Sequence, residues 1–314
     1  MADPLHIVFL LGGTGCGKGA LGRVLAQRLG GEIISVDSMK VYRRMDIGTA
    51  KPSAADREAI PHHLIDIAEP SEEFSVAQFV PLAEAAAGEI ASRGRVILAI
   101  GGTALYIKAL SEGVFEGPSA DQEIRERLRR RATLDGVNVL HSELASVDPV
   151  AAERIHRNDL RRIVRALEVH ELTGQPITAL QTQWDRQRLN HRCTFIGLRR
   201  CREDQNHRTN LRVKRLIDAG WVDEVRSLLA EPAPLGTSAR QALGYRELMD
   251  HVLGRLGLEE AVEKIKISTR RFAKAQRTWF KRFQTTRWFD VEPDESVDRV
   301  AERVLEEWSS LCST

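Results

Sequence analysis

Thiols are scarce in this chain, and long apolar runs are missing altogether. Its four cysteines, Cys16, Cys193, Cys201 and Cys312, are scattered and form no Cys-x-x-Cys pair. That argues against a zinc site and a disulfide framework, and it fits a reducing cytoplasm. No apolar run approaches the roughly 20 residues of a membrane span, so no membrane association is expected. Met1 to His6 lacks a basic n-region, so no secretory leader is expected. Aromatic residues are few, at 5%, in a composition otherwise ordinary for a soluble globular enzyme. The net charge of +2 is too small to name a partner. One local absence says more. Between Glu263 and Asp290 there is no acidic residue, while Arg270, Lys274, Arg277 and Lys281 recur at the spacing of one helix face. Solvated faces usually intersperse Glu with Lys. An all-basic face points to an anion, and a long one to nucleic acid.

What is present begins with a glycine-rich loop. Gly12-Gly13-Thr14-Gly15-Cys16-Gly17-Lys18-Gly19 follows the apolar run His6 to Leu11 and precedes Ala20 to Leu29, which reads as a helix. The order strand, G-x-x-x-x-G-K-[ST], helix is that of a phosphate-binding loop. Every fixed position matches except the last, where Gly19 replaces Ser or Thr. Backbone N–H groups and Lys18 are suited to hold phosphates, whereas the hydroxyl absent at Gly19 usually holds Mg²⁺. Thr14 is either a plain loop residue or a hydroxyl donor to phosphate. Cys16 reads as a small filler rather than a nucleophile.

At 314 residues the chain has room for a full core and two lobes. The first part alternates strand candidates (Ile7–Leu11, Glu32–Ser35, His63–Ile67, Val96–Ile100) with helices such as Val76 to Ala91, which implies an α/β fold with a parallel sheet flanked by helices. Ligands of such sheets bind at the carboxyl ends of the strands, where the loop, Asp37 and Gly101-Gly102-Thr103 should converge. Asp37, just past the second strand, has three readings: helix cap, Mg²⁺ ligand or general base. His62-His63 has no third ligand spaced to complete a metal site. From about Gly117 the texture becomes helical, with Asp121 to Ala132, Asn138 to Val147 and Asp159 to Leu172. Arginines crowd the first and third of these. Cys193 to Leu198 resembles a returning strand, further helices follow, and Trp288 to Val291 reads as a last short strand. The expected organisation is a core of residues 1–116 and 193–314 with a helical insertion at 117–192.

The segments also resemble a known family. The run from Asp37-Ser38-Met39-Lys40-Val41-Tyr42 through Asp46-Ile47-Gly48-Thr49-Ala50-Lys51-Pro52 resembles the hallmark of tRNA dimethylallyltransferases. So do His62-His63-Leu64-Ile65-Asp66, Gly101-Gly102-Thr103-Ala104-Leu105-Tyr106-Ile107 and Arg162-Ile163-Val164-Arg165-Ala166-Leu167-Glu168. Gly244-Tyr245-Arg246-Glu247 and Thr269-Arg270-Arg271-Phe272-Ala273-Lys274 also fit, and the likeness runs from Ile7 to Asp290. The resemblance implies transfer of a dimethylallyl group from dimethylallyl diphosphate to N6 of the adenosine 3′ of the tRNA anticodon, with Mg²⁺ as cofactor. It implies that Gly12–Gly19 cradles a diphosphate, with Lys18, Thr14, Arg208 and Arg212 at the leaving group. Asp37 becomes the general base at N6. Asp37, Ser38, Met39, Lys40 and Thr103 would contact the target base and its neighbours, and Arg125, Arg161, Arg162 and Arg165 the RNA. The insertion would grip the anticodon stem-loop. A cytoplasmic monomer is expected.

Departures from the family fall inside these motifs. Besides Gly19, Lys40 and Arg161 each stand for a Gln, Gln205-Asn206 for Leu-Tyr, and Gly13 for a frequent Pro. Lys only donates hydrogen bonds, whereas Gln donates and accepts. Three rival functions remain at this point: a small-molecule kinase, a prenyltransferase of free adenine nucleotide, and an RNA-binding paralogue with weakened catalysis. A kinase needs Mg²⁺ between phosphates, which Gly19 makes harder. The free-nucleotide enzyme has no use for the basic insertion.

Overall fold

Apolar runs with no polar alternation make strands that are covered on both faces, and the four inner strands of this chain follow that rule, while the two edge strands are short and partly exposed. The computed structural model describes residues 5–113, 117–181 and 191–313. Its strands are β1 His6–Leu11, β2 Glu32–Val36, β3 His62–His63, β4 Ile97–Gly101, β5 Arg192–Arg199 and β6 Arg287–Asp290. They form one parallel sheet in the order β3-β2-β4-β1-β5-β6. β1 pairs with β4 from Ile7↔Ile97 to Leu10↔Ile100, and with β5 from His6↔Arg192 to Leu11↔Gly197. The chain therefore steps outward from β1 to β2 and β3, and returns to fill β4. Only after the insertion does it extend the other side. β1, carrying the glycine loop, lies inside the sheet, at the point where the strand order reverses.

One predicted strand is corrected. The run His63–Ile67 stops pairing at His63, because Leu64 (φ 61°) and Asp66 (φ 59°) sit in the left-handed region. The turn is locked through Asp66, whose carboxylate accepts from Lys51 Nζ at 2.6 Å and Arg57 Nη1 at 2.5 Å. The two histidines have structural work: His63 Nε2 lies 2.7 Å from Glu32 Oε2, and His62 Nδ1 is 2.7 Å from Ile60 O.

The chain divides into two compact units, Met1–Ser111 with Leu189–Thr314, and Glu112–Arg188. In the first, the helix Lys18–Leu29 buries Leu21, Leu25 and Ala26 against one face of the sheet. Val300, Ala301 and Val304 of the helix Val297–Glu306 join the same cluster. Each fully buried Leu or Val contributes about 1.5–3 kcal/mol. A second cluster gathers Val41, Tyr42 and Met45 around Trp221 and Tyr245, with Ile265 of the long helix Leu258–Phe280. Here the Asp46-Ile47-Gly48 stretch proves to be a packing motif. Glu224 accepts from the backbone N–H groups of Asp46 (2.7 Å), Ile47 (2.6 Å) and Gly48 (3.1 Å), and a Cβ at Gly48 would lie 2.1 Å from the Trp221 indole nitrogen.

The second unit is helical: Gln122–Leu134, Val137–Val147, Pro149–Arg154, Leu160–Thr173 and Ile177–Leu180. Ile124, Leu128, Leu140, Leu144, Ile163 and Leu167 form its core. Asp121 and Asp159 are N-caps rather than helical residues, accepting from the N–H groups of Ile124 at 2.9 Å and Arg162 at 3.2 Å. Among the described residues no helix is long and apolar enough to cross a membrane.

Candidate active site

The carboxyl ends of β1, β2 and β4 carry the glycine loop, Asp37 and Gly102-Thr103 to one edge of the sheet. After β1 the loop closes on itself, with Cys16 N–H donating to Gly13 O at 3.2 Å. Gly17 adopts φ 102° as the N-cap of the helix Lys18–Leu29 and supplies no side-chain cap. The first amides of that helix therefore remain suited to an anion. Lys18 Nζ folds back over the loop to the carbonyl oxygens of Gly12 and Gly13. Cys16 is buried in the sheet-face cluster, as befits a filler. Arg208 Nε donates to Gly15 O at 3.2 Å.

Asp37 caps its own turn. Its Oδ1 accepts from Met39 N–H at 2.9 Å and Lys40 N–H at 3.4 Å, while Oδ2 takes part in no hydrogen bond among the described residues. The cap and base readings are therefore compatible, with one oxygen for each. Thr103 stitches β4 to this turn: its Oγ1 accepts from Ser38 N–H at 2.9 Å and donates to Ser38 Oγ at 3.2 Å. At Gly101 the backbones approach so closely that a Cβ would lie 1.8 Å from Val36 O.

Around Asp37 the charge is positive. Lys40, half-buried, feels Asp37, Arg212, Lys18 and Arg23. Loss of solvent brings its pKa down from 10.5 to about 8, with Asp37 opposing and the three cations assisting. Burial also lowers Arg212, again opposed by Asp37. Such a cluster costs stability by itself and is relieved by an anion. Lys40 is charged below about pH 8 and destabilising there, and that cost fades as pH rises toward its unfolded value. The alkaline limb of activity should fall near pH 8 as this positive charge is lost. The variant Lys40→Gln should lack that limb. A pH–rate profile checks this, and an unchanged limb in the variant assigns it to another group.

Two buried glutamines, which sequence reading missed as site residues, hold Thr14 from opposite sides. Gln276 Oε1 accepts from Thr14 N–H at 2.8 Å and Oγ1 at 3.2 Å, and Gln205 Nε2 donates to Thr14 O at 2.9 Å. Thr14 thus spends both its donors inside the protein. Gln205 Oε1 in turn accepts from Arg277. A Cβ at Gly13 would lie 2.4 Å from Gln205 Nε2, so the departures at Gly13 and Gln205 fit each other in space. Arg200, also missed, donates to Cys16 O at 3.2 Å and to Asp204 at 2.8 Å. The all-basic face is divided: Arg270 binds Asn210 at 2.6 Å and Arg277 binds Gln205, while Arg271, Lys274 and Arg282 line a groove of about 450 Å³ beside Trp279.

In the second unit, Arg125 and Arg165 converge on Glu168, which is 0% exposed. Arg125 Nε meets it at 2.8 Å, Arg165 Nη1 at 2.6 Å, and Asp121 N–H at 2.7 Å. These bonds hold the carboxyl below its ordinary pKa against the opposing effect of burial. Arg125 and Arg165 are therefore structural in the first instance, whereas Arg161 and Arg162 are exposed.

Together these features define a phosphate-loop α/β protein with a cationic site at its strand ends. The model of the IPP transferase family matches residues 40–283, beginning just after Asp37. A tRNA dimethylallyltransferase of Symbiobacterium thermophilum is 47% identical over 96% of this chain and 94% of its own length. One of Geobacter metallireducens is 45% identical over 96% and 97%. Among solved structures, the tRNA isopentenylpyrophosphate transferase of Bacillus halodurans superposes with a TM-score of 0.72, at 39% identity, over 98% of this chain and 97% of that one. A eukaryotic dimethylallyltransferase acting on tRNA gives a TM-score of 0.81 at 25% identity, over 98% and 80%. The chain belongs to the IPP transferase family.

Proposed function

We propose that this protein transfers the dimethylallyl group of dimethylallyl diphosphate to N6 of the adenosine immediately 3′ of the anticodon in tRNA. The observation that carries the reading is the convergence of an anion cradle with a carboxylate that, among the described residues, keeps one oxygen unbonded. N6 attacks the allylic carbon, the C–O bond breaks, diphosphate leaves, and the N6 proton passes to Asp37. An exocyclic adenine amine is a weak nucleophile, so taking its proton as the bond forms lowers the barrier. Lys18, Arg208 and Arg212, with the helix amides, oppose the charge that grows on the diphosphate. Ser38, Met39, Lys40 and Thr103 lie on the Asp37 side, where the adenine would be received. The base must leave the anticodon-loop stack to arrive there. In this reading the second unit grips the anticodon stem-loop through exposed arginines such as Arg161 and Arg162, with Arg125 and Arg165 shaping the helix that carries them.

The donor set does not fit a Mg²⁺ ion held by the protein alone. Gly19 offers no hydroxyl, and among the described residues no group of three His, Cys, Asp or Glu could hold a metal. Mg²⁺ ordinarily keeps several waters and binds through substrate phosphates, so in this reading it enters on the diphosphate. Position 19 has room for a side chain, since a Cβ there would meet only Arg23 Nη1, at 3.9 Å. Gly19→Ser should therefore leave thermal stability within about 1 kcal/mol of the parent, the scale of a Gly substitution in a helix, and lower the Mg²⁺ concentration for half-maximal rate. An unchanged Mg²⁺ titration would show that another group already replaces the hydroxyl.

One assay separates the competing functions. The protein is incubated with labelled dimethylallyl diphosphate, Mg²⁺ and either unmodified tRNA or AMP. Label in tRNA supports the proposal, and label in AMP supports a free-nucleotide enzyme. Retention of tRNA without label indicates an RNA binder, and ATP turnover indicates a kinase.

A further inference from the structure

Gln276 stands in a cation-rich stretch, with Lys274 two residues before it and Arg277 next, and it is buried at 4% exposure near the end of the helix Leu258–Phe280. Its carboxamide bridges two loops. Oε1 accepts from Thr14 N–H and Oγ1, and Nε2 donates to Gly102 O at 2.8 Å. The backbone N–H of Thr14 can only donate, which fixes which end of the amide is oxygen. Gly102 is fitted to the bridge, since a Cβ there would lie 2.3 Å from Nε2. From Gly102 the connection continues through Thr103 Oγ1 to Ser38, the residue after Asp37. An unbroken path of side-chain and backbone links thus joins the anion loop to the turn holding the carboxylate.

We infer that Gln276 is a positioning residue, which sets the spacing between the diphosphate loop and the Asp37 turn without touching either substrate. This rests on the transfer reading above. The bridge demands an acceptor and a donor on one rigid group. Lys and Arg lack the acceptor, and an ionised Glu lacks the donor. Asn is one methylene shorter. In-line transfer is sensitive to spacing, and a displacement of about 1 Å costs on the order of 10²-fold.

The test uses the full chain and the variants Gln276→Met and Gln276→Glu. Met keeps the length of the side chain and loses both bonds, while Glu keeps the acceptor toward Thr14 and loses the donor toward Gly102. Three quantities are measured: the affinity for inorganic diphosphate, the affinity for unmodified tRNA, and the single-turnover rate with both substrates saturating. The expected result for both variants is a rate at saturation lowered by about 30- to 100-fold, with each separate affinity within about 3-fold of the parent. More substrate does not restore the rate. A loss confined to the affinities, with the saturated rate kept, overturns the inference and makes Gln276 purely structural. A wild-type rate for Gln276→Glu overturns it as well, because the Gly102 link would then carry nothing. Should the parent protein itself transfer no label to tRNA, the transfer reading fails and the inference falls with it.

Discussion

Replacing Asp37 by Asn lowers the single-turnover rate of prenyl transfer by about 10²- to 10⁴-fold, the contribution typical of a positioned general base. The choice of Asn follows from the geometry. Asp37 Oδ1 caps the N–H groups of Met39 and Lys40, and losing such a cap costs about 1 kcal/mol, or less than tenfold if it all appeared in the rate. Asn keeps an oxygen for the cap and removes the base. Asp37→Ala removes both, so any excess loss in Ala over Asn measures the cap. Binding of tRNA should persist in Asp37→Asn, read by filter retention. If turnover per bound complex survives while binding collapses, Asp37 is structural and the proton goes elsewhere.

Lys18→Ala is expected to cost about 10²- to 10³-fold in the transfer rate, the scale seen when one preorganised donor to a developing anion is removed. Its effect should differ in kind from that of Asp37→Asn. Affinity for inorganic diphosphate falls along with the rate, because Lys18 meets the phosphate group in the ground state as well as in the transition state. Affinity for tRNA is unaffected. Lys18 also holds the carbonyls of Gly12 and Gly13, bonds of a charged donor worth about 1.5–3 kcal/mol each. A thermal melt should therefore accompany the kinetics. Diphosphate affinity equal to the parent's would remove the loop from the donor site altogether.

The two variants also separate the halves of the site. One group acts on the acceptor's proton and the other on the donor's charge, so their effects on the two affinities diverge. Gln276 lies between them, and its predicted signature is a rate loss with neither affinity altered.

Much of this arrangement was legible in local patterns. Continuous apolar runs announced β1, β2, β4 and β5, because a strand buried on both faces leaves no room for polar alternation. The loop was legible because glycines, Lys18 and a helix start occur in one fixed order. Asp37 was placed correctly after β2, but its two roles could not be divided between its oxygens until the turn was seen. The strand over His63–Ile67 was misread for a backbone reason: Leu64 and Asp66 adopt left-handed conformations that neither residue prefers. Asp66 is held there by bonds from Lys51 and Arg57 to its carboxylate. Crowded arginines in the second unit looked like a surface for RNA. Two of them, Arg125 and Arg165, turned out to neutralise the buried Glu168. A clue to that pairing was present in Glu168 itself, one carboxylate on a helix face otherwise rich in Val, Leu and Ala.

Sequence alone determined most of the elements, the anion loop and the family resemblance, because each is written in neighbouring residues and in fixed spacing. Tertiary structure decided how the loop is held and what stands beside Asp37. Gln276 reaches Thr14 across 262 positions, and Gln205 reaches it across 191. Such partners carry no local signature. A carboxamide beside a charged residue looks like any surface residue until helix packing buries it, and burial then obliges it to find its bonds inside the protein.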